Sequence, residues 1–167
     1  MQFKHAGLFV LPSLPFMGAT PDGIVDCDCV PCQGRGCLEI KCLSKHRKLT
    51  LAEASLEKNS FLERRKSDGA FHLKREHPHF YQCQAQIFLS KSKFCDFVAW
   101  TEVDICIIRV QPDVVFWEGV LTKSRDFWHK AILPELVGSW TTLPQTGVNF
   151  TLLERFVFLG AVVRNPE

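Results

Sequence analysis

No apolar run in this 167-residue chain reaches the roughly 18 residues that a membrane-spanning helix requires, so a helical span is excluded. The opening residues, MQFKHAGLFVLPSLPF, are broken by Pro12 and Pro15 and lack a small-residue cleavage site. They do not form a secretory signal, and the chain reads as intracellular. Residues 1–21 contain no Asp or Glu, so that stretch offers no acidic ligand. Net charge is only +2, too little for the molecule as a whole to attract a polyanion. The length leaves no room for a sizeable second domain, while 46% hydrophobic and 23% charged residues suffice for one packed core.

The charge that is present is unevenly placed. Residues 41–93 hold twelve Lys or Arg against five Asp or Glu, a local excess of seven, and the remainder of the chain is correspondingly acidic. Lys45, Arg47 and Lys48 form one cluster, and Arg64, Arg65 and Lys66 another. Both are candidates for offsetting phosphate charge on DNA, the plain alternative being solvated loops.

Between these features lies GATPDGIVDCDCVPCQGRGCLEIKC, residues 18–42. Asp22-Gly23 is a turn dipeptide followed by strand-forming Ile24 and Val25, and Leu38-Glu39-Ile40-Lys41 alternates apolar and charged residues as a half-buried strand does. Period two puts Glu39 and Lys41 on one face, and Leu38 and Ile40 are expected to enter the core. Asp22 and Glu39, sixteen residues apart in between, can supply the two carboxylates that Mg²⁺ or Mn²⁺ takes alongside water and phosphate. Lys41 can then polarise an attacking water and offset developing charge. Two carboxylates this close repel without a cation, so removing either is expected to favour folding slightly. The alternative is an ordinary Asp-Gly turn beside a charged surface strand.

The blocks GATPDGIV, CLEIKC, HPHFYQCQAQIFLS, CDFVAW and ILPEL, in this order, resemble the YqaJ viral recombinase family, relatives of phage lambda exonuclease within the PD-(D/E)xK nucleases. The similarity runs over residues 7–138 and leaves 139–167 as a C-terminal extension of unknown role. The resemblance implies a restriction-endonuclease-like α/β (α+β) core, a mixed central sheet flanked by helices. It also implies Mg²⁺-dependent exonuclease digestion of double-stranded DNA, with a single-strand annealing or recombinase protein as partner. Under it Asp22, Glu39 and the backbone carbonyl of Ile40 would be metal ligands, Lys41 the catalytic lysine, and Gln84 and Gln86 the glutamines near the scissile phosphate. The family places a further acid and a phosphate-gripping Arg upstream; neither is assignable here, so an N-terminally truncated domain is expected. The phage relative forms toroidal trimers, but no residue here specifies an oligomer. A catalytically impaired relic that binds DNA or a protein stays open as an alternative.

Eight cysteines without a secretion signal point to thiols or metal rather than disulfides. Cys27, Cys29, Cys32 and Cys37 are expected in the connection between the two motif strands, where four thiolates suit a tetrahedral Zn²⁺. Their C-x-C-x₂-C-x₄-C spacing is not that of a paired knuckle, and an exposed loop tolerates cysteine in a reducing cell. A zinc-stabilised interaction module is therefore the second alternative.

Elsewhere, the pattern predicts a strand over 7–10, a capped helix over 50–58, a strand from Gly69 and a principal helix over 77–91 with Pro78 in its first turn. A hairpin follows from FCDFVAWT and ICIIRVQP, then a long helix over 113–136 closed by Gly138.

Overall fold

The computed structural model describes residues 2–27 and 34–138. Its centre is a five-stranded sheet built from β1 (Gln2–His5), β4 (Gly23–Cys27), β5 (Gly34–Cys42), β8 (Cys95–Trp100) and β9 (Ile105–Val110), in the order β1-β4-β5-β8-β9. β5 and β8 run parallel and every other pair is antiparallel, so the sheet is mixed, as expected. A parallel pair needs a long crossover. Here it holds α1 (Leu51–Ser55), the β6 (Leu62–Arg64) and β7 (Phe71–Leu73) hairpin, and α2 (Pro78–Ser90).

Local chemistry explains the boundaries. Thr50 caps α1 with the reciprocal Glu53 bonds of a capping box. His77 caps α2 with Pro78 in its first turn, and Lys91 ends it in the left-handed region at φ 57°. The predicted helix beyond residue 113 is α3 (Val114–Phe127), capped by Asp113. It continues through a π-helical turn, Trp128–Ile132, into α4 (Leu133–Gly138). The strand expected over 7–10 is β2 (Phe9–Leu11), paired with β3 (Leu14–Ala19).

Two clusters form the core. The larger joins Cys37, Phe97 and Ala99 of the sheet to Leu51, Leu62, Phe80, Cys83 and Ile87. The smaller packs Ala19 of β3 and Ala85 and Leu89 of α2 against Trp117 and Val120 of α3. Helices α1 and α2 therefore cover the sheet face that carries Cys37. Ile40, Trp100, Ile105 and Ile107 stand 41–67% exposed on the opposite face. The expectation that Leu38 and Ile40 enter the core is thus reversed: Leu38 is half-buried, Ile40 is exposed and Glu39 is buried. α2 approaches the charged side of β5 because its glutamines bond to Glu39 there. Residues 139–167, expected to be an extension, lie outside the described residues.

Candidate active site

β4 and β5 position the site. Their last paired residues are Gly23 and Leu38, and just outside the ladder the Asp22 amide donates to the Leu38 carbonyl at 2.9 Å. That bond holds Asp22 against residues 38–40 of β5, beside Glu39. Asp22 is exposed, and its Oδ2 accepts from the Ile40 amide at 2.7 Å, fixing the carboxylate against the β5 backbone. Gly23 next to it lets the Phe3 ring pack against the backbone, in the space a Cβ would fill.

Glu39 is only 2% exposed, and a carboxylate removed from water needs partners for its oxygens. Oε1 accepts from Lys41 Nζ and from Gln82 Nε2, the latter at 2.7 Å. Oε2 accepts from Gln86 Nε2 at 2.5 Å. Lys41 is half-buried, so this ion pair is partly shielded from solvent.

Asp22, Glu39, Ile40, Lys41 and Gln86 therefore come together, and Gln84 does not. Its Nε2 donates to the Gln111 carbonyl and its Oε1 accepts from the Asp113 amide, both at 2.9 Å, closing the turn between β9 and α3. Residues two apart on a helix face different ways, whereas Gln82 and Gln86, four apart, share a face. Sequence reasoning named Gln84 with Gln86; the four-residue spacing was the signal that pointed to Gln82 instead.

His79 is a second residue the sequence did not single out. Its ring lies 5.1 Å from Phe61, 5.8 Å from Phe97 and 4.6 Å from His77. Burial, then the neighbouring Lys41 charge, then His77 lower its pKa to about 3, so the imidazole is neutral. Its folded pKa lies below the ordinary value of 6.5, so its stabilisation is full above pH 6.5 and is lost as pH falls toward 3. Denaturant unfolding of wild type and His79→Phe between pH 7.5 and 4 should give a weaker acid dependence in the variant, by on the order of 3 kcal/mol. Parallel curves would contradict this.

The basic candidates are exposed but unequal. Arg47 lies 3.9 Å from Glu102, Arg65 bonds Asp68 at 2.8 Å, and Arg64 donates to the Gly69 carbonyl at 3.2 Å. Lys45, Lys48 and Lys66 are exposed as well. Lys45 sits in the 3₁₀ turn Ser44–His46, just beyond the strand that carries Lys41.

The cysteine set divides. Cys29 and Cys32 lie outside the described residues, and Cys27 ends β4. Cys37, expected in the connection, lies instead inside β5, fully buried, with its thiol donating to the Phe94 carbonyl at 3.5 Å. It belongs to the core because its side chain shares the face of Glu39, which α2 covers.

The donor set fits a hard divalent cation. Two carboxylates held on neighbouring stretches of backbone, with no third acid, histidine or thiolate grouped with them among the described residues, match the sparse oxygen ligation of Mg²⁺ rather than a thiolate cage. Asp22 and Glu39 would hold it.

Comparison with known proteins then places the chain. A model of the YqaJ-like viral recombinase domain matches residues 2–93, more than half of the sequence. The chain belongs to the YqaJ-like viral recombinase domain family. No curated protein matches this YqaJ-like chain. Among solved structures it is similar to the alkaline exonuclease LHK-Exo from Laribacter hongkongensis, with a TM-score of 0.53 at 20% identity. The structure of LHK-Exo in complex with dAMP gives 0.54 at the same identity. Each match covers 86% of this chain and 64% of the other, so the fold is shared and the YqaJ-like chain spans under two thirds of the exonuclease's length. Among the described residues no helix is long and apolar enough to cross a membrane.

Proposed function

We propose that this chain is a Mg²⁺- or Mn²⁺-dependent deoxyribonuclease that digests double-stranded DNA from its ends, in recombination or repair. The observation that carries this reading is Asp22, just before β4, bonded to Leu38 and Ile40 on either side of the buried Glu39, with Lys41 paired to that carboxylate. Family membership and the fold shared with an alkaline exonuclease support it. So does the dAMP bound to that relative, a DNA nucleotide.

In this reading Asp22, Glu39 and the Ile40 carbonyl would hold the ion, whose chemistry would be Lewis acidity toward a phosphate oxygen. Lys41 donates to the attacking water or to a phosphate oxygen and offsets charge that grows in the transition state. Gln82 and Gln86 hold the Glu39 carboxylate in one orientation, so that little reorganisation is needed during reaction. Residues 7–138 are assigned as the nuclease domain, and a single-strand annealing or recombinase protein as the receiver of the product. Linear and covalently closed duplexes of one sequence, incubated with Mg²⁺, separate the possibilities: loss of the linear form alone supports an exonuclease. Equal loss of both would indicate an endonuclease, and binding without loss of either would indicate a relic.

Duplex binding should weaken as salt rises, each phosphate contact contributing about 0.9 to the logarithmic slope. Lys45→Glu with Lys48→Glu is expected to flatten that slope more than Arg64→Glu with Arg65→Glu, because both arginines already have partners in their own hairpin. A fluorescence titration across salt concentrations checks this, and an unchanged slope in the lysine variant removes that cluster from the DNA path.

A further inference from the structure

We propose that Cys95 is a positioning residue, its thiol holding the Gln86 side-chain amide in the one orientation that turns the NH₂ group toward Glu39. The proposal rests on the nuclease reading only for its consequence, not for its geometry. Three buried side chains form a line: Cys95 Sγ donates to Gln86 Oε1 at 3.7 Å, and Gln86 Nε2 donates to Glu39 Oε2 at 2.5 Å. The second Nε2 hydrogen faces the Thr20 carbonyl at 3.4 Å. Thr20 lies two residues before Asp22, so one amide ties together both arms of the carboxylate pair and the strand behind them.

The orientation matters because an amide has two ends of similar shape and opposite chemistry. Turned over, Gln86 would set its carbonyl oxygen against the Glu39 carboxylate and against the Thr20 carbonyl, acceptor against acceptor in a buried site. A buried polar group left in that state is costly. Cys95 favours the observed orientation by presenting a donor to Oε1. β8 brings it there: in the parallel register Cys95 pairs with Cys37, two residues before Glu39 on the same face of β5. The thiol keeps its proton, since the adjoining Cys37 and Cys83 thiols, together with burial, push its pKa well above the ordinary range. Cys95 and Gln86 are 0% and 1% exposed, so neither side chain is open to solvent.

Cys95→Ser keeps a donor at the position and Cys95→Ala removes it. In wild type and Cys95→Ser the Gln86 side-chain NH₂ resonances should be split and protected from solvent exchange in NMR spectra; in Cys95→Ala the protection should fall. Mn²⁺ affinity, measured by calorimetry, should drop in Cys95→Ala by up to about 10-fold, the lower end of what losing the direct Glu39 partner Gln86 would cost, and recover in Cys95→Ser. Should Cys95→Ala not fold, Cys95→Val, which has similar volume and no donor, carries the same comparison. A folded donor-less variant with an unaltered Gln86 amide overturns the inference. If the amide responds but the wild type binds no Mn²⁺, the positioning role holds and the nuclease reading fails.

Discussion

Glu39→Ala is expected to lose divalent-ion binding and, at the same time, about 3 kcal/mol of folding stability. The sign of the second effect is opposite to what two neighbouring carboxylates imply by themselves. Repulsion would favour deletion, but Asp22 is bonded to the Ile40 amide and Glu39 accepts three donors in a buried site. Removing Glu39 leaves the half-buried Lys41 ammonium without its counter-charge and the Gln82 and Gln86 amides without an acceptor. Calorimetric Mn²⁺ titration and urea unfolding of the same preparation measure both. A variant as stable as wild type would show that the buried cluster contributes little, and unchanged ion binding would show that Glu39 is not a ligand.

Lys41→Gln should separate binding from turnover. Deleting the ammonium frees one Glu39 oxygen from its strongest competitor for a cation, so Mn²⁺ affinity should stay level or rise. The duplex cleavage rate should fall by about 10²- to 10³-fold, the usual cost of removing one electrostatic stabiliser of a transition state. Affinity and rate falling together would instead make Lys41 a structural support for the carboxylate.

Much of this site was legible before the fold. The Asp-Gly turn, the alternation around Glu39 and the four-residue spacing of Gln82 and Gln86 each follow from local periodicity. What local pattern could not decide was which side of β5 the helix would cover. Alternation shows that Glu39 and Ile40 face opposite ways, and hydrophobicity then assigns Ile40 to the core. Here three donors offset the desolvation of Glu39 while Ile40 stays 42% exposed. Similarly, β6 was missed because LER is too short and polar to show a period; it is a strand because Leu62 is buried and β7 pairs with it. Cys37 was read with its neighbours in sequence, although its contacts are with Phe94, 57 positions away. Such partners are set by strand order, which no window of sequence contains.

The Asp22, Glu39 and Lys41 cluster is proposed to cut DNA with the help of a divalent cation. End-labelled linear duplex incubated with purified wild type and with Glu39→Gln, each with Mg²⁺ and with chelator, tests it in one gel. Progressive shortening by wild type in Mg²⁺ alone is the predicted result. Equal shortening by Glu39→Gln, or by wild type with the chelator present, would contradict it.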